Sequence, residues 1–588
     1  MTILRLPIFA RTFLNRCVGE YAIVGAWHPK IFPIKSVERR HYATAIELKV
    51  DSQNVISSGV PDVTGFESVH LHNLIWEKVD RWSNRTALIC SDTGRSYTYS
   101  QLKKACGRLA TSLRKSKLLP GDTIAIILPN IPEFAVILLA ANEAGLRTTL
   151  INPAYTKYEI KRQVENADVQ AIFTIPAKYA DVDASIENNS KIKLPVVIVN
   201  DGTDPTSIAG TIKFADLVRD DIEEFSVSQK TDVNYDDTVL MFYSSGTTGL
   251  PKSIESTHRN IAANIFQATC PQLFAGVETT EHYQDIVPMI LPLYHVYGLV
   301  IVMYSFLRIG AKLVCMPQFS LTKLIKLLED YRCTVMHAVP PIVQMIAYDE
   351  RIMSRHFEFM RLIVSGAAPL GEESIAKFQN RVSNCVTFVQ GYGASELSPL
   401  ASTSLDAPSA SCGYLVPNTQ MRIVGIQQDN LGKNLSPRQV GEIYIRGPQV
   451  MKGYYKNPQA TADTMDGDWY KTGDLGYYCE HGLYVQARLK EMIKVKGFQV
   501  APTELEEVIR GNSKIQDVAV IGVAHDQYGE IPKAFVVPKS GVKIDENEIK
   551  VYVAERVAKF KHLGYVQVVE SIPKSGAGKI LRKELKKL

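Results

Sequence analysis

From Asp122 onward the chain alternates between two periods. "DTIAIILPN" is an apolar run of strand length. "PEFAVILLAANEAG" has helical length and closes on Gly145, a good C-cap. "LRTTLIN" reads as a strand, "TKYEIKRQVENA" as an amphipathic helix and "DVQAIFT" as a strand again. Strand–helix–strand–helix–strand makes consecutive strands parallel, because each helix serves as a crossover, and helices then cover the sheet. The alternation returns through "AKLVCMPQF", "SLTKLIKLLEDYRC", "TVMHAVPP", "MRLIVSG", a helix to Asn384, and "VTFVQGYG". The expected fold class is α/β with parallel sheets.

The chain has 588 residues, more than one hydrophobic core supports. Beyond Ala401 the pattern changes to short strands such as "QMRIVGI" and "GEIYIRG" with no long helix between them. After Arg488 comes a smaller α+β unit: "KEMIKVKG", the helix "PTELEEVIRG", the strands "DVAVIGVA" and "KAFVVPK", the helix "ENEIKVYVAERVAKF" and a basic tail. The expected division is a leader over 1–45, an N-terminal domain over 46–487 and a C-terminal domain over 488–588. The N-terminal domain combines parallel-sheet βαβ subdomains with a small β-barrel-like part.

Charge is concentrated at the start. The first 45 residues carry seven cations (Arg5, Arg11, Arg16, Lys30, Lys35, Arg39, Arg40) and two acids (Glu20, Glu38). Their balance of +5 equals the formal net charge of the whole chain. A basic, acid-poor start containing "RLPIFARTFLNR" reads as a mitochondrial transit peptide, the alternative being a basic tail. The neutral remainder argues against nucleic acid as a partner. The final Lys-Lys-Leu resembles a peroxisomal signal without its small first residue, so peroxisome and cytoplasm stay open as alternatives. Nine cysteines with no C-x-x-C pair indicate neither a zinc site nor a disulfide framework. Residues 286–307 lack Asp, Glu, Lys and Arg, but Pro288, Pro292, His295 and Gly298 interrupt them. A buried strand, a loop and a buried helix are expected there, with no transmembrane span.

"SSGTTGLPK", Ser244 to Lys252, follows the apolar run "TVLMFY". Its hydroxyls, glycines and lysine suit a phosphate, whose oxygens accept from backbone N–H groups and hydroxyls. The spacing is not that of a Walker loop. Strand, loop and helix is the expected local order.

The loop resembles the signature of the adenylate-forming superfamily, which contains acyl-CoA synthetases, 4-coumarate–CoA ligases and beetle luciferases. Further matches follow in the family's order: "LPLYHVYGL", "SGAAPL", "QGYGASE", "GYLVPN", "GEIYIRGPQVMKGYY", "DGDWYKTGDLG", "RLKEMIKVKGFQVAPTELE" and "PKSGAGKILRKEL". The wording is most similar to the 4-coumarate–CoA ligase-like branch. The resemblance implies an acid–thiol ligase, an AMP-forming acyl-CoA synthetase with ATP, Mg2+ and coenzyme A as cofactor and cosubstrates. A fatty or arylalkenoic carboxylic acid becomes acyl-AMP and then acyl-CoA, with release of pyrophosphate and AMP. The resemblance also implies that the C-terminal domain is mobile.

Site roles follow from the same resemblance. Ser244, Ser245, Gly246, Thr247, Thr248 and Lys252 match the loop around the β- and γ-phosphates. Gln390, Gly391 and Tyr392 match the segment beside adenine, and Ser395 stands where the family usually has Thr. Glu396 matches the acid near Mg2+. Asp474 matches the ribose carboxylate, with Arg488 as its ribose or phosphate partner. Lys579 matches the lysine that bridges acyl carboxylate and α-phosphate. His295 matches a histidine bordering the acyl pocket. Tyr297, Ile301, Ala367 and Thr403 match acyl-pocket positions. Lys490 matches the hinge, and Lys494, Lys496, Gly497 and Gln499 match contacts to acyl-AMP, coenzyme A and AMP. The departures are Ser253 for Gly, a nearby Glu255, Ala487 for Asp and Gln318 for a coenzyme A-contacting lysine. Ile301 is bulkier than the small residue of plant enzymes, a hint of a fatty acid. A luciferase-like oxygenase, an adenylation module feeding a carrier protein and a catalytically weak nucleotide-binding scaffold are the alternatives. Oligomeric state stays open.

Overall fold

The computed structural model describes residues 46–588 other than 201–206, 226–232, 245–250, 275, 369, 383–385, 496–497, 526 and 577. The expected leader over 1–45 lies outside the described residues. An eight-stranded sheet is built on Thr123–Ile127, with Arg147–Leu150 and Val169–Thr174 parallel on either side. It continues in parallel to Val197–Ile198 and Ile212–Lys213 on one flank and to Thr238–Ser244 on the other. A second parallel run joins Val335–Ala338, Leu362–Ser365 and Thr387–Gly393, then turns antiparallel through Leu400–Thr403 and Tyr414–Leu415. A four-stranded sheet places Lys312–Cys315 between Ile286–Met289 and Thr86–Cys90.

Local chemistry sets the helix starts. Thr98 and Thr156 each form a reciprocal capping box, with Gln101 and Glu159 respectively, at helices Tyr99–Lys115 and Lys157–Asn166. The helix Pro132–Glu143 is buried on nearly every face, which is why it lacks an amphipathic stripe.

The strand-rich region beyond Ala401 folds as a curled antiparallel sheet. Gln420–Val424, Gly441–Arg446, Trp469–Cys479 and Gly482–Arg488 are its main strands. The strand ending at Arg488 closes this sheet, and the next sheet begins at Ile493. There Ile515–His525 pairs with Gly529–Pro538, and helices Pro502–Arg510 and Glu546–Ala554 accompany them. Ile493, Leu505, Val518 and Val536 belong to a core separate from that of the larger domain.

Several expectations need correction. The phosphate loop joins two antiparallel strands, Thr238–Ser244 and Lys252–Thr257, so no helix follows it directly. "KSIEST" has hydroxyl and β-branched residues that favour a pleated surface, and Gly453–Tyr454 pairs along its other edge. The helix starts at His258. The helix expected to reach Asn384 spans Glu372–Val382, and 383–385 lie outside the described residues. The last long helix ends at Ala554, where Arg556 N–H bonds Val553 O and tightens the turn. The apolar stretch from Ile286 is, as expected, a strand, a loop and a buried helix, the last a π-helix over Tyr297–Tyr304. Among the described residues, no helix is long and apolar enough to cross a membrane.

Candidate active site

A cavity of about 910 Å3, open mouth included, collects residues from both domains. His295, Tyr297, Ile301, Ala367, Gly391, Tyr392, Ser395, Thr403 and Lys579 all line it. Four of these, Ala367, Gly391, Tyr392 and Thr403, sit at strand ends. Ala367 follows Leu362–Ser365, and Gly391 and Tyr392 lie at the C-terminal end of Thr387–Gly393. Ligands of open α/β sheets collect at such ends, beyond the carboxyl termini of parallel strands. Tyr297 and Ile301 come from the π-helix, a widened turn often found at functional sites. Backbones approach closely here. A Cβ on Gly366 would lie 3.1 Å from Tyr297 Cε1. Ala367 holds φ +77°, a region costly for any residue with a side chain.

Two polar groups adjoin the cavity without lining it, apart from Tyr392. Tyr392 donates its hydroxyl to Asp474 Oδ2 at 2.8 Å, and Arg488 Nε lies 3.3 Å from Asp474 Oδ1. Burial lowers the Arg488 pKa, but Asp474, Glu491, Tyr392 and Tyr470 together outweigh it and raise it. Register explains the pairing, since Asp474 and Arg488 are opposite on adjacent antiparallel strands. Lys252 Nζ sits 4.8 Å from the centre of the Tyr454 ring, and the Tyr454 hydroxyl donates to buried Glu396 at 2.9 Å. Gln390 is absent from the cavity wall. Its amide donates to Ser409 O at 2.8 Å and accepts from Leu370 N at 3.2 Å, so it positions the loop before it.

Lys579 reaches the cavity from a loop of the C-terminal domain. Lys574 anchors that loop on Asp517 at 2.6 Å, and Lys579 N–H donates to Ser575 Oγ at 3.2 Å. Gly578 adopts φ +76°, and a Cβ there would lie 3.0 Å from Pro341 of the larger domain. Burial lowers the Lys579 pKa, and the Arg488 charge lowers it further, against Asp474, Glu396 and Glu491. His295 is lowered to about 4 by burial and by Lys579, so its imidazole is neutral near pH 7. The domains also meet at Gly371, where a Cβ would collide with the Glu507 carboxylate.

Other expected residues are not gathered here. Ser245, Gly246, Thr247, Thr248, Lys496 and Gly497 lie outside the described residues, and Ser244 and Gln499 are described only as strand backbone. Lys490, in the turn Leu489–Glu491, and Lys494, on Ile493–Val495, are exposed and absent from the cavity wall. Sequence reasoning missed Tyr454 and His337. Tyr454 lay inside a quoted motif, so its bridge between Lys252 and Glu396 needed strand pairing to be seen. His337 sits in the apolar strand "VMHA", which carries no signal beyond an ordinary core histidine.

Among the described residues, no group of three or more His, Cys, Asp or Glu side chains is arranged to hold a metal. Glu396 keeps one carboxylate oxygen outside its bond to Tyr454. One carboxylate beside a triphosphate site fits Mg2+, which typically binds one or two carboxylates, waters and substrate phosphates.

The model of the AMP-binding enzyme family matches residues 75–455, and that of the AMP-binding enzyme C-terminal domain matches 504–579. The chain is 36% identical to 4-coumarate–CoA ligase 1 of Arabidopsis thaliana over 552 residues, covering 91% of this chain and 95% of the relative. It is 37% identical to 4-coumarate–CoA ligase 3 of Oryza sativa subsp. japonica over 544 residues, 90% of this chain and 94% of that one. Among solved structures, ATP-bound MatB from Rhodopseudomonas palustris superposes with a TM-score of 0.78 at 26% identity, covering 88% of this chain and 98% of its own.

Proposed function

This chain belongs to the AMP-binding enzyme family and is an AMP-forming acid–CoA ligase, and on that premise we propose an apolar carboxylic acid, fatty or arylalkenoic, as its substrate. The names of the 4-coumarate–CoA ligases support the arylalkenoic member of that pair. The carrying observation is Lys579 of the C-terminal domain in the same cavity as His295, Tyr297, Ile301, Ala367 and Thr403.

The reaction divides in two. The acid's carboxylate attacks the α-phosphorus of ATP and pyrophosphate leaves. The thiol of coenzyme A then attacks the acyl carbon and AMP leaves. Such chemistry rests on positioning and on stabilising charge. Lys579 supplies a cation where charge builds on the α-phosphate, and the neutral imidazole of His295 leaves that charge unopposed. Asp474 and Arg488 form a ribose and phosphate grip, and Lys252 faces the β- and γ-phosphates. Glu396 would hold Mg2+, which neutralises phosphate charge. Lys490, Lys494, Lys496, Gly497 and Gln499 serve the second step once the C-terminal domain has turned. The basic first 45 residues support delivery to the mitochondrial matrix.

The test incubates the full chain with ATP, Mg2+, coenzyme A and a panel of aliphatic and arylalkenoic acids. AMP and a thioester are expected with at least one acid. Neither product from any acid overturns the reading. Imaging the full-length chain with a free C-terminus tests the compartment, and a cytosolic or peroxisomal signal overturns that part.

A further inference from the structure

Asn130 follows the strand Thr123–Ile127 and precedes the helix Pro132–Glu143, at the carboxyl end of the eight-stranded sheet. It is 6% exposed, and its amide bonds one segment that lies 159 to 163 residues further on. Nδ2 donates to Met289 O and to Leu291 O, both at 2.8 Å, and Oδ1 accepts from Leu293 N–H at 2.9 Å. Both amide hydrogens and the amide oxygen are thus engaged. Met289 ends the strand Ile286–Met289 of the four-stranded sheet, so one side chain ties the carboxyl ends of strands from two sheets.

The bonded segment leads into the site. Residues 290–295 are irregular backbone, so neither a helix nor a strand ladder supplies partners for their polar groups. Leu291 and Leu293 bracket Pro292, whose carbonyl accepts from His295 N–H at 3.1 Å. The π-helix packs closely on the same carbonyl, since a Cβ on Gly298 would lie 2.5 Å from Pro292 O. Tyr294 meets the loop that carries Lys579, where a Cβ on Gly576 would lie 2.6 Å from the tyrosine oxygen. His295 and Tyr297 line the cavity, and Asn130 stands behind them outside its wall.

We propose that Asn130 is a positioning residue for adenylation: its amide fixes segment 290–295 so that His295 borders the cavity and Tyr294 meets the loop of Lys579. This rests on the ligase reading above. Rate is sensitive to such placement, because a shift of about 1 Å in a reacting group can cost about 100-fold. None of the three bonds reaches Lys252, Asp474 or Arg488, so the effect falls on the chemical step and not on nucleotide binding.

The experiment uses the full chain with the acid that gives most thioester and follows pyrophosphate release. Asn130→Asp keeps the size of the side chain and the acceptor for Leu293, and removes both donors. Its kcat is expected to fall by about 10- to 100-fold, with KM for ATP unchanged and a cooperative thermal unfolding transition retained. Asn130→Ala removes all three bonds, is expected to act in the same direction, and serves if the Asp variant fails to fold. Each substitution is repeated in a His295→Ala chain, where the loss is expected to shrink because a group being placed is gone. A residue that only supports the fold gives the same loss in both backgrounds. Unchanged kcat in the folded variants, a rise in KM for ATP that matches the fall in kcat, or equal losses in the two backgrounds overturns the proposal. No thioester from the unaltered chain with any acid overturns the ligase reading and this placement with it.

Discussion

Tyr454 donates its hydroxyl to Glu396 Oε1 at 2.9 Å while Lys252 Nζ lies 4.8 Å from the centre of the same ring. One side chain thus ties the lysine after the phosphate loop to the carboxylate that suits Mg2+. Tyr454→Phe keeps the ring and removes only the donor to a buried carboxylate. A hydrogen bond to a charged group contributes about 1.5–3 kcal/mol. Pyrophosphate release at varied ATP and Mg2+ is expected to show a kcat/KM about tenfold lower and a raised Mg2+ requirement. Unchanged dependence on both would show that the bond is incidental.

Lys579→Ala is expected to slow adenylation by about 100- to 1000-fold, the usual loss for one electrostatic contact made in the transition state. ATP binding, read by calorimetry, should weaken far less. Thioester formation from supplied acyl-AMP should persist. Equal losses in binding and adenylation would reduce Lys579 to a nucleotide-binding group.

Lys579 also sets a pH dependence. Burial and Arg488 lower its folded pKa beneath that of a free lysine, so it loses its proton at a lower pH. The chemistry needs the protonated form. Adenylation kcat/KM should therefore fall on the alkaline side, with a midpoint below the ordinary lysine value of about 10.4. Lys579→Arg should push that limb upward, because arginine stays charged. A limb that does not move in the Arg variant assigns it to another group.

Ile301 is 7% exposed and borders the acyl end of the cavity. Ile301→Ala should accept acids with bulkier rings or branches, seen as a lower KM for them relative to octanoate. Stability should drop by about 2–5 kcal/mol in denaturant unfolding, as for other large-to-small core changes. An unaltered acid profile would place the acyl chain elsewhere.

Strand–helix alternation made the parallel sheets readable, because Gly145 and the periodic runs are local signals. Lys579 was readable through "SGAGKI". Features that depend on distant pairing were not. The π-helix Tyr297–Tyr304 is buried on nearly every face, so its apolar run has no phase to read. The strand after the phosphate loop pairs mainly with the neighbouring Thr238–Ser244, and its other edge is covered by Gly453–Tyr454 from far along the chain. Gln390 resembles a nucleotide contact by position, yet its amide faces Leu370 and Ser409. His337 sits in an apolar strand, and only the fold brings it to the cavity wall beside Tyr297.

Lys579 is both a reagent and part of the cavity wall. Under the proposed two-step reaction, withdrawing Lys579 to admit a thiol would also remove the barrier between the acyl carbon and water. Leakage by hydrolysis and productive transfer therefore share one gate. A variant that holds Gly576 and Gly578 more tightly to Tyr294 and Pro341 would then waste less ATP and turn over more slowly, so fidelity and speed would oppose each other through these two contacts.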